Sequence, residues 1–361
     1  MRAAVLRDVN APMEIEEIAI SKPRAREILV RTEATGICHT DLSYATGLQP
    51  VPLPAVLGHE SCGTVEAVGE GVTMFRPGDR VITTLATFCG HCSLCATGHL
   101  YLCESPERDR LPGDEPRLRH GEAPLYQFAR LGAFAEQMLV HENACVKMPH
   151  DMSAEAGALL GCGVLTGAGA VFNTAAVRPG QSVAVIGCGG VGLSAINAAA
   201  IAGAGRIIAL DLQPEKEGLA RDFGATDFVS APAGEALGTI REMTRGGVDF
   251  AIEAVGHPAS VEQAFAMIRR GGTAIVLGMM PREMRVTLPG VEFVYDKTLK
   301  GSTLGSTRFP YDIPRLIDFY RQGKLKLDRL VSGRIGLDEV DGAMRAMGAG
   351  AVARSVVIFP Q

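Results

Sequence analysis

Three features that would assign a chain to other classes of protein are missing from this sequence. The first is an excess of basic residues, because 35 Lys and Arg are outnumbered by 40 Asp and Glu and the net charge is −5 at pH 7. A protein that binds nucleic acid needs a basic surface to displace the counterions of the phosphate backbone. We therefore expect no nucleic-acid partner.

The second missing feature is a signal peptide. The segment MRAAVLRDVN at 1–10 has no apolar stretch of the kind that directs secretion. The cysteine count is nine, an odd number, and 361 residues can build two domains with cores large enough to need no disulfides. These observations predict a cytoplasmic protein whose cysteines stay reduced and can act as metal ligands.

The third missing feature is an uninterrupted apolar run. Between Glu155 and Arg206 the only charged residue is Arg178, so hydropathy alone would suggest two membrane spans. The segments RPGQS at 178–182 and GCGGVG at 187–192 interrupt this stretch, and its apolar residues are mainly Ala and Gly. Buried parallel strands and their covering helices have this composition, so we predict no membrane span.

The chain predicts an α/β protein with two kinds of domain. Residues 1 to about 150 alternate apolar and polar side chains and are β-rich, and Ser153 is the predicted N-cap of a helix that runs toward Asn173. From 182, six short apolar runs alternate with helical segments, which predicts a doubly wound parallel sheet. The runs are SVAVIG, RIIALD, ATDFVS, VDFAIEAVG, GTAIVLG and TLKGST. We predict a discontinuous domain, 1–163 with 305–361, an inserted sheet domain, 164–304, and a ligand in the cleft between them.

A dinucleotide site is predicted where the first of these strands ends. Gly187, Gly189 and Gly192 follow SVAVI directly and precede a helix, as a pyrophosphate-binding turn requires. Glycines that only pack a helix on a strand would explain the turn, but not Asp211, which ends the next strand at the position where a carboxylate accepts the ribose hydroxyls. Because Asp211 would repel a 2′-phosphate, we predict NAD rather than NADP.

Cysteine and histidine predict two metal sites. Four cysteines fall within fifteen positions, namely Cys89, Cys92, Cys95 and Cys103. They could form a disulfide knot, a redox centre, a nucleic-acid-binding zinc finger or a structural zinc lobe. Elsewhere Cys38, His59 and Cys162 form a possible three-ligand set with a fourth position open, as a catalytic zinc needs, although each residue alone would more often be packing.

Over essentially its whole length the sequence resembles the zinc-containing medium-chain alcohol dehydrogenases. The signature residues are Gly58, His59, Glu60, Gly63, Gly69 and Val72, and the order Cys38, His59, Cys89 to Cys103, Cys162 and Gly187 also matches. The resemblance implies a GroES-like β-rich catalytic domain joined to a Rossmann domain. It implies an enzyme that transfers hydride reversibly between an alcohol and NAD and that contains a catalytic and a structural zinc.

Residue roles follow from the same resemblance. Cys38, His59 and Cys162 would bind the catalytic zinc, with Glu60 as a transient ligand and Asp41 hydrogen-bonded to His59, whereas Cys89 to Cys103 would bind the structural zinc. Thr40 would receive the alcohol proton, and Ser43 stands where other members end the relay in His, so solvent or another residue could be the terminal base. The implied cofactor contacts are His39, Thr166, Gly187, Gly189, Gly190, Val191, Gly192, Asp211, Lys216 and Arg354. His91 and His99 are less probable ligands than the four cysteines.

The motifs CHTD and GCGVLTG are most similar to class III-like and bacterial primary or aryl alcohol dehydrogenases. Leu85 would face the substrate, so we predict a medium-chain or aryl primary alcohol. The rival is a formaldehyde dehydrogenase acting on a thiol adduct. Its anionic groups could meet arginines in the long segment 104–132, namely Arg108, Arg110, Arg117 and Arg119, although this segment could equally be a solvated loop. A non-catalytic NAD-binding sensor is the alternative from another class. The resemblance also implies a homodimer or homotetramer whose subunits meet at the sheet edge of the cofactor domain, around TLKGST.

Overall fold

The structure is a computed structural model that describes residues 1–111, 113–348 and 354–360. The strands in these residues are β1 (Arg2–Leu6), β2 (Glu14–Glu17), β3 (Ala19–Ile20), β4 (Glu27–Gly36), β5 (Ala55–Val56), β6 (Glu60–Val68), β7 (Arg80–Thr83), β8 (Leu118–His120), β9 (Ala123–Gln127), β10 (Gln137–His141), β11 (Cys145–Lys147), β12 (Ser182–Ile186), β13 (Arg206–Leu210), β14 (Asp227–Val229), β15 (Val248–Glu253), β16 (Ile268–Val276), β17 (Thr298–Gly301), β18 (Gly333–Ile335) and β19 (Ser355–Ile358).

The α-helices are fewer and mostly short. They are α1 (His39–Ala45), α2 (Ser93–Ala96), α3 (Ala154–Leu159), α4 (Gly163–Gly169), α5 (Gly190–Ile201), α6 (Glu217–Asp222), α7 (Ala233–Thr244), α8 (Pro258–Met267), α9 (Phe309–Arg321) and α10 (Val340–Gly348). None of the helices in the described ranges has both the length and the apolar composition that crossing a membrane requires.

The chain divides into two compact units. Unit 1 contains Met1–Cys162, Arg308–Ile313 and Leu327–Gln361, and unit 2 contains Gly163–Thr307 and Pro314–Lys326. The predicted domains placed everything after 305 in the catalytic domain, which is wrong for 314–326. This segment packs within unit 2: the Phe172 and Phe319 rings lie 5.8 Å apart, and the Asn197 side-chain amide donates to the Lys324 carbonyl.

Unit 1 is β-rich, as its alternating sequence predicts. One sheet has the strand order β2-β1-β5-β9-β8-β3, and a second has the order β11-β7-β6-β4-β19-β18, with β10 also paired to β4. The strand β4 is the centre of the second sheet, because its first half pairs with β10 and its last residues pair with β19. All ten of its residues, EILVRTEATG, are fully or partly buried between these neighbours and β6.

Unit 2 is the predicted doubly wound sheet. Its order is β14-β13-β12-β15-β16-β17, and every neighbouring pair is parallel. All six predicted strands are present, and the order reverses between β12 and β15. Ligands of such sheets bind at the carboxyl ends of the strands where the order reverses, so this fold places the predicted glycine-rich turn at the expected edge.

The helix predicted from Ser153 to Asn173 is interrupted. Its start is as predicted, because the Ser153 hydroxyl accepts a hydrogen bond from the Ala156 N–H. The helix then ends at Leu159, resumes at Gly163 and finishes as a π-helix over Ala170–Ala175. At Gly161 a Cβ would lie 2.4 Å from the Thr83 carbonyl oxygen, so the backbone passes too close to β7 for a regular side chain.

Candidate metal centres and dinucleotide site

Three separate segments of unit 1 bring together the first metal-binding set. Cys38 precedes the first turn of α1, His59 precedes β6, and Cys162 lies in the break between α3 and α4. Their donor atoms all lie within 4.8 Å of one another, and all three residues are buried. Because the helix is interrupted between Leu159 and Gly163, Cys162 lies in a turn outside both helices, where its sulfur is close to the other two ligands.

His59 has the hydrogen-bonding pattern of a metal ligand. Its Nδ1 lies 3.0 Å from Asp41 Oδ1, while its Nε2 is buried and has no hydrogen-bond partner among the described residues. A buried ring nitrogen without a partner costs free energy that a metal ion would recover. Asp41 is itself fixed, because it also accepts from the backbone N–H groups of Cys38 and Gly58 at 3.2 and 3.0 Å.

The two thiols of this set are electrostatically coupled. A hydrogen bond from the Cys162 thiol lowers the pKa of Cys38 well below its ordinary value, and burial opposes this only in part. The same hydrogen bond, together with burial, raises the pKa of Cys162. The thiolate form is thus favoured at Cys38 and disfavoured at Cys162, and a divalent cation is the group that would allow both to ionise. The donor set thus fits zinc.

Glu60 and Arg354 form an ion pair beside these ligands. Arg354 Nη1 lies 3.1 Å from Glu60 Oε2 and donates to the Ile37 carbonyl at 3.0 Å. Burial disfavours the charged guanidinium, but the Glu60 carboxylate outweighs this, so the pKa of Arg354 is raised. Arg354, which was predicted to contact a pyrophosphate, therefore lies in unit 1. Its carboxylate partner Glu60 was not indicated by the sequence.

The second metal-binding set lies around the short helix α2. Its donor atoms, the sulfurs of Cys89, Cys92, Cys95 and Cys103, also lie within 4.8 Å of one another. Two sulfur pairs are 3.9 Å apart, which is close to the roughly 3.8 Å expected across a tetrahedral zinc and far from the roughly 2.05 Å of a disulfide. The nine cysteines all lie in described residues and none forms a disulfide, so the disulfide knot is excluded.

The two histidines near this set have other partners. His91 Nε2 lies 3.1 Å from a Glu107 carboxylate oxygen, and His99 Nδ1 lies 3.0 Å from the Thr97 hydroxyl. The four sulfurs alone complete a tetrahedron, and a site with four protein ligands has no open position for a substrate. The geometry therefore fits a structural zinc.

The glycine-rich turn in unit 2 has the close contacts that require glycine. Gly187 has φ +95°, and a Cβ at Gly192 would lie 1.7 Å from the Gly187 carbonyl oxygen. The helix α5 begins at Gly190, so its free N–H groups point out of the turn, as binding of a phosphate requires. Asp211 follows β13 and accepts from the Cys188 N–H at 2.8 Å, which joins the carboxylate to the turn.

Asp211 has two further donors. The Gln213 N–H is 3.0 Å from Oδ1, and Lys216 Nζ is 3.0 Å from Oδ2. The predicted cofactor residues Gly187, Gly189, Gly190, Val191, Gly192, Asp211 and Lys216 thus form one continuous edge of unit 2.

Comparison with known proteins identifies the family. The Alcohol dehydrogenase GroES-like domain matches residues 24–150, and the Zinc-binding dehydrogenase family matches residues 190–322. The chain belongs to the zinc-dependent alcohol dehydrogenases. It is thus an oxidoreductase, and the sensor without catalytic activity is no longer a candidate.

Relatives of this alcohol dehydrogenase match along its whole length. An Alcohol dehydrogenase class-3 from Myxine glutinosa is 36% identical over 99% of this chain and 97% of its own. An S-(hydroxymethyl)glutathione dehydrogenase from Escherichia coli is 35% identical over 99% of both chains. The crystal structure of benzyl alcohol dehydrogenase from Acinetobacter calcoaceticus has a TM-score of 0.94 at 34% identity, over 99% of both chains.

The remaining predicted residues of the alcohol dehydrogenase lie in several environments. In α1, His39 is exposed and Thr40 is half-buried, and the Ser43 hydroxyl donates to the His39 carbonyl at 3.0 Å. The Ser43 hydroxyl proton is thus used within its own helix, and a part for Ser43 in the proton relay stays a prediction. In unit 2, Thr166 is buried in α4. Leu85 is half-buried and packs partly on the core of unit 1.

The four arginines predicted to meet an anionic substrate in segment 104–132 have partners within unit 1. Arg110 Nη2 and Arg117 Nε lie 2.6 and 2.8 Å from the carboxylate of Glu27, which is only 4% exposed. Arg108 donates to backbone carbonyls, and Arg119 lies 3.2 Å from a Glu115 oxygen. The segment also contains the hairpin β8–β9 and is less irregular than expected. Arg110 and Arg117 are thus paired with a buried carboxylate, and a role of this segment toward an anionic substrate stays a prediction.

One aromatic contact of the first metal-binding set was not predicted. The Phe128 ring meets the His59 imidazole edge to face, with centroids 5.7 Å apart, and packs at a tilt against the Tyr44 ring, with centroids 4.6 Å apart. Nothing in the local sequence QFARLG marks Phe128, because it approaches His59 from a segment almost seventy positions away.

Proposed function

We propose that this alcohol dehydrogenase transfers hydride between an uncharged primary alcohol, medium-chain or aryl, and NAD. The observation that carries the proposal is the buried, unpartnered Nε2 of His59, which faces two thiols while Asp41 holds the opposite ring nitrogen. Three protein ligands are the number that leaves a zinc ion one position for substrate.

The residues around the metal have separate tasks in this reaction. Cys38, His59 and Cys162 would hold the zinc, which when bound supplies a Lewis acid that lowers the pKa of a hydroxyl. Asp41 keeps the imidazole in one tautomer and orientation through its bond to Nδ1. We assign Thr40, in the first turn of α1, as the acceptor of the alcohol proton. Since Ser43 bonds to its own helix, we propose that solvent receives the proton in the end.

The cofactor preference rests on Asp211. A carboxylate at this position accepts ribose hydroxyls and repels a 2′-phosphate, which favours NAD over NADP. Lys216, 3.0 Å from Asp211, leaves one positive charge nearby, yet its Nζ is already paired with that carboxylate. Comparable kcat/KM with the two cofactors would contradict this assignment. We keep His39, Thr166, Val191 and Arg354 as proposed cofactor contacts.

The charges in unit 1 favour a neutral substrate. Arg110 and Arg117 neutralise Glu27 and are about nine-tenths buried, so they are not available to a substrate carboxylate. The loop GLQPVPLP at 47–54 carries no charge. The similarity to a benzyl alcohol dehydrogenase agrees with an aryl substrate.

The second candidate is oxidation of an S-(hydroxymethyl) thiol adduct. It is favoured by the names of the class-3 and S-(hydroxymethyl)glutathione dehydrogenase relatives. Formaldehyde oxidation measured with and without glutathione distinguishes the two, because only the adduct enzyme needs the thiol.

Metal content and activity test the proposal together. The wild type, Cys38→Ser and Cys92→Ser are analysed for zinc per chain and for NADH formation with a panel of primary alcohols. We expect two zincs in the wild type, one in each variant, and loss of activity in a folded Cys38→Ser. A single zinc in the wild type, or an active Cys38→Ser, would refute the mechanism.

Assembly and compartment complete the proposal. The strand β17, which contains most of TLKGST, pairs only with β16 and has a free edge in the described sheet, so we propose a homodimer or homotetramer through this edge. The nine unpaired cysteines favour a reducing compartment such as the cytoplasm.

A further inference from the structure

A fully buried carboxylate lies beside the glycine-rich turn, outside the predicted cofactor set. Glu253 is the last residue of β15, the strand that pairs with β12 at the point where the strand order reverses. Its side chain is 0% exposed. The segment 254–257 that follows is the neighbour of the glycine-rich turn, and the Ala254 N–H donates to the Ile186 carbonyl.

One oxygen of Glu253 organises this neighbouring segment. Oε1 accepts from the Val255 N–H at 2.8 Å, from the Gly256 N–H at 2.7 Å and from the Ser260 hydroxyl at 2.7 Å. Bonds to a charged acceptor are stronger than bonds between neutral groups. The carboxylate therefore determines the path of the backbone from β15 into α8.

The other oxygen has no partner within the described residues. Oε2 of Glu253 is buried and makes no hydrogen bond there. Burying a carboxylate oxygen in this way costs free energy, which the three hydrogen bonds to Oε1 must offset. The arrangement of segment 254–257 thus depends on this one side chain.

The segment that Glu253 holds contacts the glycine-rich turn directly. Val255 Cγ2 lies 2.9 Å from where a Cβ on Gly187 would be, so the Val255 side chain covers the turn. On its other side Gly256, with φ +87°, approaches the Met279 carbonyl so closely that a Cβ would lie 2.7 Å from it. The 254–257 segment is thus confined between the turn after β12 and the loop after β16.

We propose that Glu253 is a positioning residue for the dinucleotide. It holds segment 254–257 against the glycine-rich turn, at the edge of the sheet where doubly wound folds bind dinucleotides. Loss of its charge would loosen Val255 and let the turn at Gly187 relax, which weakens cofactor binding without removing a cofactor contact. The inference rests on the proposed use of NAD.

The same strand supplies a matched control. Asp249 lies near the opposite end of β15 and also organises a neighbouring strand, because it accepts from the Ser182 N–H and hydroxyl at 2.7 Å each. It pairs with Arg269 as well. Asp249→Asn also removes a partly buried charge from β15, but at the end of the strand that is remote from the glycine-rich turn. Any change in NADH binding in this variant therefore measures the effect of lost stability alone.

The test measures the Kd for NADH in the wild type, Glu253→Gln and Asp249→Asn, each zinc-loaded. The chain has no tryptophan, so the fluorescence of bound NADH can be followed without overlapping protein emission. We expect about a tenfold higher Kd in Glu253→Gln, the size of one weakened charge-assisted hydrogen bond. We expect less than a twofold change in Asp249→Asn, with a lower Tm in both variants.

Two results would overturn the inference. One is a Kd in folded Glu253→Gln within twofold of the wild type, and the other is an equal rise in both variants. Should Glu253→Gln not fold, Ser260→Ala removes one of the three donors, and a Kd raised about threefold supports the inference, whereas an unchanged Kd refutes it. A wild type that does not bind NADH would refute the proposed function and this inference with it.

Discussion

Replacing Asp41 with Asn tests how the first metal-binding set is built. Asp41 is fully buried, and its two oxygens accept from His59 Nδ1 and from the Gly58 and Cys38 N–H groups. An amide has one acceptor oxygen, so it can keep the two bonds on one side but must turn its NH2 toward the Cys38 N–H. Asp41→Asn therefore leaves one buried donor unsatisfied and weakens the other two bonds.

The size of the effect follows from these three bonds. An unsatisfied buried donor costs about 1–3 kcal/mol, and losing the charge from two hydrogen bonds costs about 1 kcal/mol each. We expect Asp41→Asn to lower the free energy of unfolding by about 3–5 kcal/mol. Because the imidazole is no longer held, we also expect zinc affinity at this set to fall by about 10–100-fold, while the four-cysteine zinc is retained.

Denaturant unfolding and zinc release to a chromogenic chelator measure the two effects. Asp79→Asn is the control, because Asp79 also accepts a backbone hydrogen bond, from the Arg76 N–H, but is remote from the ligands in sequence and carries a surface ion pair. One of two zincs should leave faster in Asp41→Asn and neither in Asp79→Asn. If both zincs of Asp41→Asn leave at the wild-type rate, Asp41 does not orient the metal ligand.

Other predictions concern single substitutions in unit 1 and unit 2. Glu27→Ala leaves the buried Arg110 and Arg117 without their carboxylate partner. It should lower the free energy of unfolding in denaturant by about 3–5 kcal/mol, without a selective rise in KM for anionic substrates. Burial, and then nearby arginine charges, lower the pKa of His141 to about 4, so the unfolded chain binds the proton first as pH falls below about 6.5. Wild-type stability should therefore drop by up to about 3 kcal/mol more than that of His141→Asn between pH 6.5 and pH 4, and parallel pH curves would disprove this. Gly192→Ala forces a Cβ onto the Gly187 carbonyl and should abolish NADH binding, whereas Gly238→Ala, where nothing lies within 4 Å of the added Cβ, should stabilise α7 by about 0.5–1 kcal/mol in thermal unfolding.

Patterns that are local in sequence predicted the fold well. The six strands of unit 2 were identifiable because strands buried on both faces are short, continuous apolar runs, and RIIALD ends in the acid that lies beside the glycine turn. The two metal-binding sets were predicted by residue type and spacing, because thiolate and imidazole are the donors that zinc prefers.

Features that depend on distant partners were not predicted. Glu27 pairs with Arg110 and Arg117 across 83 and 90 positions, and no local pattern separates a paired arginine from a free one. The interruption after Leu159 depends on how closely Gly161 passes β7, which hydrophobic periodicity does not report. The segment 314–326 was misassigned for the same reason, since its partners are in the middle of unit 2.

The position of β19 has a consequence for the order in which the chain folds during synthesis. This strand enters the sheet between β4 and β18, and Arg354 just before it reaches Ile37, 317 positions earlier. Nearly all of unit 2 leaves the ribosome before β19 is made, so the parallel sheet can form while the other sheet still has an open edge along the end of β4. The end of β4 in the nascent unit 1 therefore stays unpaired until β19 is made. A chaperone or early zinc binding would protect unit 1 most during that interval.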